Sequence, residues 1–588
     1  MFQESDDGEL HILDNSDIPD IISATSSEEP LHDHVRNAFG ESPVLHEGST
    51  CTLFETLVKL FDWFSSHPSK SKEAFSRNLK LWHSILPKGN CLPVSYREAY
   101  NIIKPYLVPE VVFHVCPNDC IVFRGEYKNS VMCPKCQESR YKSGKVNIPR
   151  RTFHYLPLGP RLARSFGTKD ISRLLQSHGG ESPPITTGGR MTDIHDSRKW
   201  KEAYNDKGTF QGDPRGVTLS SCLDGLNPWS KNKATYSMWP IVLGLLNLPR
   251  QIRYQFANLL LVGIIPSQTE GGEPKDLDPY LEVLVDEILA LSGCKLYDAY
   301  RNAPFTVKVK IMVYVVDYQG LGKLFSLTAT GSKRGCAWCL LKGQYCKHLN
   351  KVVYPSNRRF LPLEHELRKD CERFPKHTVE KRDRPTYRTF QQDVSFHKAY
   401  DGAKNKSQAS KLAAGTGCRG GYLLAEKNPG FDRVEETTPD AMHTIAVQMK
   451  HLCRCLAGKA PEDSAAVRLQ EKALNRFPES WPTAGDDIQG EKSTSVKSCK
   501  GGKGKQARKS KKHQDQSSNS LPPAPFVLTK SQLEEADRRA KQVEVPAGDS
   551  FRPGPIFSRI SRLNSHEWKE VLQKCVYGIV LARLSGTT

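Results

Sequence analysis

Four cysteines stand out by their spacing: Cys116 and Cys120 form a C-x3-C pair, Cys133 and Cys136 a C-x2-C pair, with twelve residues between the pairs. Pro117 and Pro134 follow the first cysteine of each pair. Two such knuckles place four thiolates at the corners of a tetrahedron, the ligand set of structural Zn²⁺, which folds a segment too short to hold itself. The spacing predicts a zinc ribbon without saying whether it touches a partner or braces a neighbour. A second constellation is a pair of aspartates, Asp224 in CLDGLNPW and Asp317 in VVDYQGLG. Two carboxylates brought together repel unless a divalent cation lies between them, and two metals about 3.5–4 Å apart activate water and stabilise a leaving oxygen of a phosphodiester. That is nuclease or strand-transfer chemistry. Each aspartate also has a local reading as a turn or helix-cap residue.

The elements that must position these acids are legible in outline. VTLSSCLD (217–224) reads as a short strand, and TVKVKIMVYVVD (306–317), β-branched and alternating, as the clearest strand of the chain. Each aspartate closes one of them. Between them, PIVLGLLNLPRQIRYQFANLLLVGI and PYLEVLVDEILAL read as helices, the second capped by Asp278 with Pro279 at its first position. Strand, helices, strand is an α/β arrangement. Upstream, residues 52–107 carry three helical patterns, with Ser95 placed to cap the third, while 151–215 are rich in Arg, Gly and Pro with little periodicity. Residues 1–48 are acidic and Ser-rich, and the run Lys492–Lys512 holds nine basic residues and no acid; neither stretch has the apolar surface to offset ordering entropy. Helical spacing returns in LNSHEWKEVLQKCVYGIVLARL (563–584).

The 588 residues suffice for two to four folded units. Lys and Arg exceed Asp and Glu by 84 to 65, a net charge of +19 that draws the chain toward polyanions. Seventeen scattered cysteines and the lack of a secretory pattern predict a reducing compartment. Apolar runs such as 257–265 and 576–584 are far shorter than the roughly 20 residues a membrane span needs, so a soluble protein is expected.

The ordered blocks CPNDC, CPKC, YLPLGPRLARSF, DGLNPW, YSMWPIVLGLLNLPRQIR, DYQGLGKL, GCAWC, RRFLPLEHELR and DAMH resemble the transposases of CACTA (EnSpm) elements over residues 110–455. The resemblance implies an α/β, RNase H-like core whose acidic triad binds Mg²⁺ or Mn²⁺ and cuts and joins transposon ends. Asp224 matches the family's first catalytic aspartate and Asp317 its second. For the third acid, Glu567 in NSHEWKE resembles a late family block; Asn564 and Glu567 also fit a capping box, and Glu435, Glu436 and Asp440 compete for the role. Cys336 and Cys339 of GCAWC and His443 of DAMH resemble a second zinc element, with His451, Cys346, His348 or Asp440 as fourth ligand.

The organisation expected from residues and resemblance together is a disordered acidic leader (1–48), a helical unit (49–108), a zinc ribbon (109–150) and a basic linker or DNA-contact region (151–215). The core (216–460) follows, then a disordered basic insert (461–555) and a C-terminal helix (556–588) that ends soon enough to suggest a shortened chain. Arg150, Arg151, Arg161 and Arg164, with Arg358 and Arg359, are the expected phosphate contacts to double-stranded DNA. The KGKQARKSKK stretch suits a nuclear import signal, and assembly into a homo-oligomer accords with the family. Two rival readings fit the same residues: a catalytically dead, DNA-binding descendant and a zinc-scaffolded protein-interaction module.

Overall fold

The structure is a computed structural model. It describes residues 42–66, 71–144, 148–177, 193–228, 236–268, 271–328, 331–346, 351–354, 387–421, 427, 431–440, 447–458, 527–543, 554–563, 567–568 and 571. The expected leader up to residue 41 and the Lys492–Lys512 run lie outside these. The chain divides into two compact units. One comprises Met1–Val316, Lys323–Phe325 and Tyr422–Thr438; the other Asp317–Gly322, Ser326–Gly421 and Pro439–Thr588.

The first unit opens with helices α1 (Leu53–Ser65), α2 (Lys72–Ile85) and α3 (Tyr96–Ile103). Thr52, Ser71 and Ser95 each accept the backbone N–H three residues on, caps worth about 1 kcal/mol apiece. Their apolar faces meet around Leu57, Phe75, Leu79 and Ala99. Strand β1 (Val111–His114) pairs antiparallel with β2 (Thr152–Tyr155). The next stretch is not the irregular linker its composition suggests: α4 (Gly159–Gly167), α5 (Lys169–Gln176) and α6 (Arg198–Tyr204) occupy it. Helices of seven to nine residues span about two turns, too few for a periodicity to stand out.

Strands β3 (Val217–Leu223), β4 (Trp239–Leu245) and β5 (Leu259–Ile265) follow, successive neighbours antiparallel. The expected helix over 240–264 is therefore a pair of strands. Two short apolar runs separated by a turn after Pro249 cannot be told from helix by periodicity alone, and mid-run glycines decide the matter. A Cβ on Gly263 would stand 2.7 Å from the Phe153 ring and one on Gly244 2.8 Å from Ser220 Oγ, so both glycines admit a neighbouring strand's side chain. Helix α7 (Asp278–Leu291) forms where expected, although Leu277 is its cap residue and Asp278 already lies inside. Strands β6 (Lys295–Asp298) and β7 (Ala303–Thr306) make a hairpin, and β8 (Val309–Val316) then lies parallel to β3.

Beyond β8 come α8 (Tyr318–Leu324), the hairpin β9 (Gln344–Cys346) and β10 (Lys351–Val353), α9 (Phe390–Asp401), α10 (Lys406–Thr416), α11 (Arg433–Glu436), β11 (Thr437–Pro439), α12 (Val447–Leu456) and α13 (Lys530–Lys541). The main sheet has seven strands in the order β1-β2-β5-β4-β3-β8-β11. In the second unit, Met449 and Cys453 of α12 and Ala536 and Ala540 of α13 share a core with Ile556, Phe557, Ile560 and Trp568. Helix α13 falls inside the stretch expected to lack structure; a capping box of Thr529 and Gln532 opens it, and small alanines on one face let it pack. Among the described residues, no helix is long and apolar enough to cross a membrane.

Candidate active site and metal centres

The cysteine knuckles close as their spacing predicts. One sulfur from each of Cys116, Cys120, Cys133 and Cys136 lies within 4.8 Å of the other three. Thiolates around one Zn²⁺ at about 2.3 Å would stand about 3.8 Å apart, and Cys116 and Cys136 are already at 3.4 Å. The turns need unusual backbone, since Asp119 and Gln137 both adopt positive φ (59° and 61°). Burial pushes the Cys116 thiol up to about 11. At Cys136 burial is outweighed by hydrogen bonds from Asn118 and the Glu138 backbone, which bring it down to about 7. A cation would favour the thiolate at all four.

The knuckle is bound tightly into its own unit. Asp119, 1 % exposed, accepts from Arg151 Nη1 (2.5 Å), Tyr280 Oη of α7 (2.5 Å), the Lys275 backbone N–H (2.8 Å) and Gln268. Arg124 meets Asp286 and Glu282 on α7, and Lys427 joins the same two acids. This arrangement braces the ribbon against α7.

The same bonds reassign several of the expected DNA contacts. Arg151 is buried and its guanidinium is held by Asp119 and the carbonyls of Cys116, Pro117 and Pro266. Arg161 donates to the carbonyls of Leu156, Pro157 and Leu261, and Arg164 to that of Leu107. Arg150 pairs with Glu138 at 2.5 Å and keeps about a third of its surface exposed. Basic composition alone could not reveal that these donors serve backbone carbonyls. Arg358 and Arg359 lie outside the described residues.

Each of the two aspartates follows a strand of the first unit: Cys222 of β3 pairs with Val315 of β8 in a parallel ladder, Asp224 comes directly after β3, and Asp317, the first residue assigned to the second unit, comes directly after β8. Asp224 is exposed. The glycine after it is required, because a Cβ on Gly225 would come within 2.9 Å of Ser237 Oγ and Trp239 Nε1. Asp317 is half-buried, and its Oδ1 accepts the Gly320 N–H at 2.5 Å, so it caps α8 as the local reading anticipated.

Of the rival third acids, Glu436 is buried against Lys310 at 2.9 Å. Lys310 is the second residue of β8, six residues before Val316, or about 20 Å along the strand from the end that Asp317 follows. Glu436 therefore belongs near the start of β8, at the other end of that strand. Glu435 is engaged by Arg198 (2.7 Å) and Lys199 (2.5 Å). Glu567, in the second unit, is half-buried with Arg559 at 3.4 Å, while Asn564 is outside the described residues.

Cys336 and Cys339 sit together, also in the second unit. The Cys339 thiol and the N–H groups of Trp338 and Cys339 bring Cys336 down to about 6, and the hydrogen bond with Cys336, together with burial, pushes Cys339 up. Trp338 packs edge-on to Tyr318, beside Asp317. Their expected partner His443 lies outside the described residues, as does His348; Cys346 closes β9, Asp440 directly follows β11, and His451 lies within α12. Among the described residues one further group could hold a metal: Asp393, His397 and Cys418. Its only sequence signal is a D-x3-H spacing on a helix, with the cysteine twenty-one positions on, and sequence reading passed it over.

Residues 188–397 match the model of a family described as Transposase family tnp2. The matched segment contains β3, β4, β5, α7 and β8, both strand-end aspartates and the C-x2-C pair. It supports a transposase family for this chain, similar over roughly the stretch in which the acids fall. No curated protein matches the chain.

Proposed function

We propose that the protein is a DNA transposase of the CACTA type, which cleaves transposon ends and transfers the freed 3′-hydroxyl to target DNA. The observation that carries this reading is the pair of neighbouring parallel strands, each followed by an aspartate, inside the segment similar to transposases. The strand order β5-β4-β3-β8-β11, three antiparallel strands with a fourth parallel to the first of them, supports an RNase H-like core. Asp224 and Asp317 would hold Mg²⁺ or Mn²⁺, which activates the attacking oxygen and stabilises the leaving one. Glu567 is the proposed third acid. The four-cysteine knuckle would hold a structural Zn²⁺, and Cys336, Cys339 and His443 would contribute to a second. Work on double-stranded DNA in the nucleus accords with the net charge of +19.

The test is nicking of a labelled element-end duplex by purified full-length protein with Mn²⁺. Asp224→Asn and Asp317→Asn should each lower the rate on the order of 100-fold or more, the scale of losing one group that stabilises transition-state charge, and Glu567→Gln comparably. Equal cleavage by wild type and both aspartate variants refutes the assignment.

A further inference from the structure

The second unit contains a buried cluster that the transposase reading leaves unused. Asp393 and His397 stand one helical turn apart on α9, Cys418 follows the left-handed Gly417 that ends α10, and the three are 0, 3 and 0 % exposed. Cys418 Sγ is 3.8 Å from Asp393 Oδ1, and His397 Nε2 is 3.9 Å from Asp393 Oδ2. Ligand atoms at tetrahedral angles around Zn²⁺, with bonds of about 2.0–2.3 Å, stand about 3.3–3.7 Å apart. One ligand atom from each of the three residues lies within 4.8 Å of the other two, so a contraction of about an ångström or less would bring the set to that spacing.

The surroundings orient the ligands. His397 Nδ1 meets the carbonyl of Gly420; a carbonyl only accepts, so Nδ1 carries a proton, and in the neutral imidazole the lone pair is then on Nε2, the atom nearer Asp393. That outer hydrogen bond is the usual way a metal-binding imidazole is fixed. The turn delivering Cys418 is equally constrained, since a Cβ on Gly417 would stand 2.3 Å from the Arg334 carbonyl and 2.7 Å from Arg388 Nη2. Arg388, itself buried, places Nη1 3.6 Å from both Cys418 Sγ and Asp393 Oδ1. Such a donor stabilises a thiolate.

We propose that Asp393, His397 and Cys418 bind one divalent cation of the zinc type, with Arg388 as the outer donor to thiolate and carboxylate. Binding releases the Cys418 thiol proton to solvent. The rival arrangement is an ion-free core in which Arg388 and Asp393 form the charge pair and Cys418 stays a thiol.

Full-length protein equilibrated with Zn²⁺ and freed of excess ion separates the two by its zinc-to-protein ratio. Wild type should carry one equivalent more than Cys418→Ala or His397→Ala, while His397→Cys and Cys418→Asp, which keep a ligand atom, should retain it. Cys133→Ala at the knuckle should remove a different equivalent, additive with the loss at Cys418. Equal zinc in wild type and both alanine variants overturns the site, and so does equal loss in the alanine and ligand-retaining variants.

Discussion

Asp193 shows how single residues of the first unit are held. Arg253 forks onto its carboxylate at 2.7 and 3.0 Å, and His195 lies 3.5 Å away. Burial alone would push this carboxyl up, but the hydrogen bonds and charge of Arg253 more than offset it and hold it below the usual range. Its folded pKa is thus below the unfolded value of about 3.9, so its contribution to stability is complete above that pH and drains away as pH falls through the folded value. Asp193→Asn should cost about 3 kcal/mol at neutral pH, since it leaves Arg253 buried without its counter-charge. The same substitution should flatten the stability–pH curve on its acid limb. Urea unfolding of both proteins from pH 7 down to pH 3 reads both effects. At this scale the cysteine quartet was legible because its geometry is set within twenty-one residues. Asp119, beside it, was not, because its partners Arg151 and Tyr280 lie 32 and 161 positions away.

The strands β4 and β5 exemplify what elements require of one another. Their sequence is apolar enough for either a buried helix or buried strands, and only the side chain that crosses over each glycine distinguishes the two. The Phe153 ring on β2 occupies the place a Cβ would take on Gly263. Gly263→Ala should therefore destabilise the protein by about 1–3 kcal/mol, as overpacking does, and Phe153→Leu in the same chain should recover much of that loss. Additive effects in a double-mutant cycle would show that the two positions do not touch. Helices α1 to α3 were legible because each pairs a hydroxyl cap with an amphipathic face. Helices α4 to α6 were not, being short and lying in a stretch whose Arg, Gly and Pro content resembles a linker.

For the whole molecule, a net charge of +19 makes DNA affinity the property to measure against salt. If six to ten phosphates are neutralised, affinity for an element-end duplex should fall roughly 10³- to 10⁵-fold between 50 and 200 mM salt. A mobility-shift titration with a flat salt response would favour the protein-interaction reading over the DNA-binding one. Arg151→Ala should leave the slope unchanged and lower stability instead, because its guanidinium is spent on Asp119 and on backbone carbonyls.

The order of residues by itself determined what depends on near neighbours: the four-thiol knuckle, the capped helices, the long helix over 278–291 and the two strands that the aspartates follow. Tertiary structure alone decided that residues 239–265 pair as strands, that β3 and β8 lie side by side in parallel, that three of the expected DNA-contact arginines, Arg151, Arg161 and Arg164, donate to the protein's own carbonyls, and that Asp393, His397 and Cys418 meet. The physical reason is the same in each case. A cap or a knuckle satisfies its hydrogen bonds and ligands within a few residues, whereas a strand, a buried charge or a metal ligand is completed by a partner tens to hundreds of positions away, and only packing brings the two together.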